Sequence, residues 1–145
     1  MDLEAKTLRQ YNELTHALKR KMGKTFMYSD TLARAGKQTI GPKFLGVYPK
    51  GVLDYSRMNP GETAIINTQG ASEPGEHWCG VGCNSKDQIV VYDSFGRKGA
   101  GLLGIDGAID TDLDVEQHTL EVNCGPRSLA WCVIFNRNEK NAMLI

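Results

Sequence analysis

Apolar side chains recur at spacings of three and four residues in the first part of the chain. They are Leu8, Tyr11, Leu14, Leu18 and Met22. This period places them on one face of an α-helix, and glycine, here Gly23, commonly ends such helices. We therefore predict an amphipathic helix over residues 2–22 whose apolar stripe needs a surface to cover.

Shorter segments follow, separated by glycine and proline. A second helix is predicted to begin at Ser29 or Asp30, either of which can cap it, and to end at Gly36. The β-branched and aromatic content of residues 43–47 and 63–67 predicts two strands. The chain therefore changes from helical to extended structure soon after residue 40.

The clearest pattern is a β-hairpin, formed by apolar residues 77–83, a polar triplet and the apolar segment 89–92. If the turn centres on Ser85, His77 lies directly opposite Asp93. Opposed residues of an antiparallel pair have Cβ atoms about 5 Å apart. The spacing alone therefore predicts an imidazole beside a carboxylate.

A last helix is predicted to begin at Cys124, because Pro126 suits a first helical turn and apolar residues follow at helical spacing. Residues 96–114 are rich in Gly and Asp and predict a loop with a single helical turn. Residues 115–122 predict a short extended piece. Cys124 is thereby placed at a helix N-terminus.

The composition is that of one soluble domain. The 145 residues are 41% hydrophobic and 23% charged, and no apolar run approaches the roughly 20 residues that a membrane span needs. The N-terminus lacks a secretion signal, so we expect an intracellular protein, in the cytosol or nucleus, with reduced thiols. Basic and acidic residues each number 17, so only the local basic face of the first helix favours nucleic acid, and a solvated face is the simpler interpretation.

These placements predict nucleophilic chemistry. A thiol attacks as its thiolate, which a helix N-terminus and a nearby imidazolium both favour. Cys124 is therefore the candidate nucleophile, His77 the base and Asp93 the group that orients the imidazole. Gln117 and the backbone N–H groups around Gly125 are candidate donors to an oxyanion.

Each cysteine also has a structural interpretation, because a free cysteine commonly behaves as a small buried hydrophobe. We expect that role for Cys79, Cys83 and Cys132. Zinc binding by the four cysteines is the alternative, but four residues along a strand span about 13 Å, far more than the distance between ligands of one zinc ion. The sequence therefore predicts no metal site.

Several segments, taken in order, resemble the adenovirus protease (adenain) family. They are residues 41–48 (GPKFLGVY), 64–68 (AIINT), 75–78 (GEHW), 92–96 (YDSFG), and Gln117 seven positions before Cys124-Gly125. The wider clan, which includes SUMO-specific (Ulp-type) proteases, shares part of this pattern. The resemblance implies an α+β, papain-like core in which a central helix bearing the cysteine packs against a mainly antiparallel sheet bearing the histidine and the aspartate.

The resemblance also implies a domain organisation and a function. Residues 1–145 would form a single protease domain, with an adenain-like core over 29–135 and a helical extension over 1–27. The function would be that of a viral or virus-like cysteine endopeptidase that processes virion precursor proteins at Gly-containing sites, within the infected cell and the virion. Gly75, Glu76 and Gly125 would then contact the substrate.

The family's cofactors are not required by this sequence. Adenain is activated by a basic peptide and by DNA, yet this chain is neutral and offers no cysteine assignable to a peptide disulfide. The extension over 1–27 could replace the peptide in cis. Because the chain ends at Ile145, soon after Cys124, we also expect the family's helical C-terminal portion to be mostly absent.

Two other functions fit the same residues. An isopeptidase acting on ubiquitin-like tails needs the same four groups, and cleavage of a ubiquitin-like fusion would distinguish it from an endopeptidase. A non-catalytic interaction module could keep the fold, but it gives no reason for the four positions to be intact.

Overall fold

The computed structural model describes residues 2–23, 29–70, 77–111 and 124–145. Within these residues, five α-helices and five β-strands form an α+β fold, as predicted. The helices are α1 (Leu3–Met22), α2 (Ser29–Thr39), α3 (Gly99–Leu103), α4 (Cys124–Arg137) and α5 (Glu139–Ala142). The strands are β1 (Phe44–Lys50), β2 (Thr63–Gly70), β3 (Trp78–Cys83), β4 (Ile89–Tyr92) and β5 (Ile109–Asp110).

The strands form one mixed sheet in the order β1-β2-β3-β4-β5. The three central strands are antiparallel, whereas β1 pairs with β2 and β4 pairs with β5 in parallel. The expected antiparallel arrangement therefore describes the centre of the sheet, and both edges depart from it. No helix in the described ranges is long and apolar enough to cross a membrane.

Helix α4 packs against β3 at very close range. The strand presents Gly80 and Gly82 to the helix, and a Cβ atom at either position would lie 2.7 Å from the ring of Trp131 or Phe135, respectively. All residues of α4 from Cys124 to Phe135 are buried. The two glycines therefore allow the helix that begins at Cys124 to lie directly on the sheet.

Helix α1 begins at Leu3, one residue after the predicted start, ends at Met22 as predicted, and covers the same core. Asp2 caps it by accepting a hydrogen bond from the Ala5 amide, and Gly23 ends it at φ 62°. The buried face comprises Thr7, Tyr11, Thr15, Leu18 and Met22. Its apolar members belong to the cluster that contains α4, so the predicted stripe does cover a surface.

Helix α2 extends further than the sequence predicted. It continues through Gly36 to Thr39, so this glycine does not end it. A Cβ atom at position 36 would lie 2.2 Å from the Phe44 ring, which shows that the glycine permits close packing of α2 on β1. Strand β5 and helix α5 were not predicted, because pieces of two and four residues carry no periodic signal. The extended piece predicted over 115–122 lies outside the described residues.

The hairpin forms as predicted, but its turn centres one residue later. Cys83 pairs with Ile89 rather than Asp87, and the Asn84 amide bonds to the Gln88 carbonyl. The loop is therefore three residues long and ends at Asp87, which adopts a positive φ of 60° as such loops require. Because this displaces each partner by two positions, every side chain keeps its predicted face of the sheet.

Candidate active site

The hairpin brings His77 and Asp93 together at one end of the sheet. Nε2 of His77 lies 2.5 Å from Oδ1 of Asp93, and both residues are buried. In the observed register the two residues are diagonal neighbours on one face rather than directly opposed. The side chains meet nevertheless, because diagonal positions are within reach of long side chains.

Cys124 lies at the N-terminus of α4, and its thiol is close enough to His77 to contribute to the raised pKa of the imidazole. Since Nε2 faces Asp93, the ring's other nitrogen is available to the thiol. The structure thus brings Cys124 next to His77, which is in turn hydrogen-bonded to Asp93. Gly125 follows in the first turn of α4 and is also buried.

The charged form of His77 is favoured by its neighbours. Burial lowers the pKa of the imidazole, but hydrogen bonds to Asp93, Cys124 and Cys79 outweigh it and raise the pKa to about 11. Burial alone would raise the pKa of Asp93. Hydrogen bonds from His77 and Arg97 lower this pKa by more, so the net shift is downward. The site therefore stabilises an imidazolium–carboxylate pair.

Arg97 and Phe95 complete the surroundings of this pair. Nε of Arg97 donates to Oδ2 of Asp93 at 2.7 Å, and the Phe95 amide donates to Oδ1 at 3.2 Å. The Phe95 ring contacts both cations, with its centroid 4.9 Å from that of His77 and 5.2 Å from the Arg97 guanidinium carbon. Both carboxylate oxygens of Asp93 are thus fixed by donors on different side chains.

Cys79 lies next to the same histidine. It is buried, as predicted for a packing residue, but its thiol also contributes to the raised pKa of His77. Ligand atoms of His77, Cys79 and Asp93 lie within 4.8 Å of one another, which is the arrangement of a candidate metal site. The carboxylate is already bonded to an imidazole and a guanidinium, so these residues fit a hydrogen-bond network better than a cation site.

The other three cysteines have raised pKa values. Burial raises the pKa of Cys79, Cys83 and Cys132, and for Cys83 the value is about 11, with the Asp87 carboxylate contributing. Thiols with raised pKa values remain protonated near neutral pH and react slowly. These three residues therefore match the predicted packing role.

Three predicted site residues lie outside the described residues, namely Gln117, Gly75 and Glu76. Sequence reasoning missed Arg97, although a signal for it exists. Gly96 adopts a φ of 72° and its amide bonds to the Asp93 carbonyl, so a tight turn returns the chain towards the carboxylate. A glycine directly before an arginine, soon after the acid, could have indicated this contact.

Comparison with known proteins supports a relationship to a protease. No family model matches the chain. The chain is 31% identical over 109 residues to a protein named Protease from Human adenovirus B serotype 3. The match covers 66% of this chain and 51% of the relative, so the chain matches about half of the relative's length. The similarity points to a viral protease. The His, Cys and Asp ligand atoms that lie within 4.8 Å of one another in the described residues belong to His77, Cys79 and Asp93.

Proposed function

We propose that this protein is a cysteine protease of the adenain type. The observation that carries the proposal is the placement of Cys124, at the start of α4, beside a His77 that is hydrogen-bonded to Asp93. A thiol, an imidazole and an orienting carboxylate in this order are the groups that activate a sulfur nucleophile. The similarity to a viral protease supports the same conclusion.

The chemistry follows from the geometry. The Cys124 thiolate attacks the carbonyl carbon of the substrate while the His77 imidazolium gives its proton to the departing nitrogen, so that a thioester forms and the peptide C–N bond breaks. A water molecule then loses a proton to His77, attacks the thioester and releases the thiolate. Asp93 stays ionised throughout and holds the ring through Nε2.

The negative oxygen formed during attack needs donors. Backbone N–H groups at the N-terminus of α4 point away from the helix and are unsatisfied by it, which suits them to this role. We assign the second donor to Gln117 and contacts with the substrate backbone to Gly75, Glu76 and Gly125. These assignments rest on the sequence pattern and on the position of α4.

The substrates are proposed from the resemblance. They are virion precursor proteins cut at Gly-containing sites during virion maturation, inside the infected cell or the particle. The core would be papain-like, since a helix bearing the cysteine lies on a sheet bearing the histidine and aspartate. No cofactor is assigned.

Thiol labelling combined with a cleavage assay tests the proposal. Iodoacetamide near neutral pH, followed by peptide mapping, should modify Cys124 much faster than Cys79, Cys83 or Cys132, and the modification should stop cleavage of a Gly-containing peptide. Cys132→Ser is the matched control, because it removes a different thiol that is buried on the same helix as Cys124. Equal labelling of all four thiols in the folded protein would contradict the assignment. Cleavage of a ubiquitin-like fusion, but not of the peptide, would favour an isopeptidase.

A further inference from the structure

The hydroxyl group of Tyr11 lies between the two elements that carry the nucleophile and the acid. Tyr11 is fully buried on α1, and its hydroxyl shares a short hydrogen bond with that of Tyr92 on β4. The same oxygen accepts a 3.4 Å hydrogen bond from Nη1 of Arg127 on α4. One side chain from the N-terminal helix therefore contacts both β4 and α4.

The partners of Tyr11 are adjacent to the site residues. Tyr92 directly precedes Asp93, and Arg127 lies about one helical turn after Cys124. The rings reinforce the hydrogen bonds. Tyr11 meets Tyr92 edge to face with centroids 5.9 Å apart, and the Arg127 guanidinium carbon lies 5.7 Å from the Tyr11 centroid.

The strand segment beside His77, the third site residue, is linked to α4 by a separate hydrogen bond. The hydroxyl of Ser128 on α4 donates to the carbonyl of Trp78, which directly follows His77, at 2.9 Å. Helix α4 is thus tied to β3 beside the histidine by its own side chain. Its contacts with β4 beside the aspartate are the stacking of Trp131 on Tyr92 and the hydrogen bonds that pass through the Tyr11 hydroxyl, so α1 contributes to one side of the triad geometry.

We propose that Tyr11 is a positioning residue of the protease site, acting through Tyr92 and Arg127 to hold Asp93 and Cys124 at their working separation. This inference rests on the proposed function. It gives α1 a defined role, because the hydroxyl group reaches both elements only when the helix is docked. Misplacement of reacting groups by about 1 Å can lower a rate about 100-fold, so a remote hydroxyl can affect turnover.

Tyr11→Phe removes the hydroxyl and keeps the ring and its packing. The matched control is Thr15→Val, which removes another buried hydroxyl one turn further along α1. That hydroxyl bonds to the Tyr11 carbonyl within the helix. Both variants lose one buried hydrogen-bonding group from the same face, but only Tyr11→Phe breaks the contacts to β4 and α4.

Three measurements separate positioning from general stability. We expect kcat of Tyr11→Phe to fall about tenfold with KM unchanged, because the lost contact places reacting groups and not the substrate. The rate of Cys124 alkylation should fall as well, since the imidazole is less well placed to favour the thiolate. The melting temperature should change no more than it does in Thr15→Val, whose kcat and alkylation rate should match the wild type.

A double substitution tests the path. If the hydroxyl acts through Tyr92, Tyr11→Phe combined with Tyr92→Phe should lower kcat no further than Tyr11→Phe alone. Wild-type kcat and alkylation in a folded Tyr11→Phe variant would overturn the inference, as would equal losses in Thr15→Val. If wild-type protein neither cleaves peptides nor shows a fast-reacting Cys124, the proposed function fails first, and the two failures are thereby distinguished.

Discussion

Arg97 donates from Nε to the Asp93 oxygen that His77 leaves free, so the carboxylate is held between two cations. The guanidinium is about half exposed, whereas the carboxylate is fully buried. Arg97 therefore places its charge at the rim of the site and stabilises the ionised acid from outside. The contact fixes the plane of the carboxylate and, through it, the orientation of the imidazole.

Replacing Arg97 should weaken catalysis without unfolding the protein. In Arg97→Gln the pKa of Asp93 rises, because a donor that lowers it is lost. We expect the acid limb of the pH profile of kcat/KM to move to higher pH, with activity reduced about tenfold at neutral pH. Arg57→Gln is the control, since Arg57 also pairs with an aspartate but lies exposed near Asp54. An unchanged acid limb in Arg97→Gln would contradict this role.

The proposed triad predicts a graded series of substitutions. Cys124→Ala and His77→Ala should abolish turnover, because each removes a group that makes or breaks bonds. Asp93→Asn should leave a folded but far slower protein, since the orienting group fixes the ring without joining the reaction. Gln117→Ala should lower kcat about 100-fold if its amide stabilises the oxyanion. Near-wild-type turnover in His77→Ala would require another base.

The raised pKa of His77 makes stability depend on pH. A histidine with a folded-state pKa of about 11 and an unfolded value near 6.5 contributes stability that is complete below pH 6.5 and is lost as pH rises towards 11. The free energy of unfolding of the wild type should therefore exceed that of His77→Gln most at pH 6, and the difference should shrink at pH 8 and 10. Urea unfolding of both proteins at the three pH values measures this difference in free energy. A difference that grows with pH would show that the imidazole is neutral in the folded state.

The glycines beneath α4 should tolerate no side chain. Gly80→Ala places a Cβ atom 2.7 Å from the Trp131 ring, which is itself fixed by stacking on Tyr92 and by a hydrogen bond to the Ala142 carbonyl. We expect a loss of about 1–3 kcal/mol in the free energy of unfolding, together with lower activity. Gly101→Ala in α3 is the control, because its Cβ atom would meet nothing within 4 Å and should stabilise by about 0.4–1 kcal/mol. Chemical denaturation of both variants provides the comparison.

The local parts of the site could be predicted from sequence, because they depend on spacing within one hairpin or one helix. His77 and Asp93 are joined by a short turn, and an error of one residue in the position of that turn moved them from opposed to diagonal places without changing their face. Cys124 was placed correctly at a helix start because Pro126 marks the first turn. A small error in the predicted register therefore does not change which of these side chains come together.

The contacts that link distant segments could not be predicted in this way. Nothing in the sequence around Tyr11 indicates that its hydroxyl meets Tyr92 and Arg127, because the pairing depends on how α1, β4 and α4 pack together. The extension of α2 beyond Gly36 has the same origin, since the glycine serves its contact with Phe44 rather than the end of the helix. Such residues have ordinary local patterns and acquire their roles only in the assembled core.

Because β3 carries no side chains beneath α4, the spacing between this strand and the helix is set by α4 alone. Gly80 and Gly82 contribute no side chains on the face beneath α4, so the gap between sheet and helix is filled there by Trp131 and Phe135, both carried by the helix. A larger or smaller ring at position 131 or 135 would move the helix, and with it the nucleophile, away from or towards the sheet. A side chain at position 80 or 82 would instead clash with these rings. In related sequences, substitutions that change the height of the nucleophile above the sheet should therefore occur in α4, while positions 80 and 82 on β3 stay glycine.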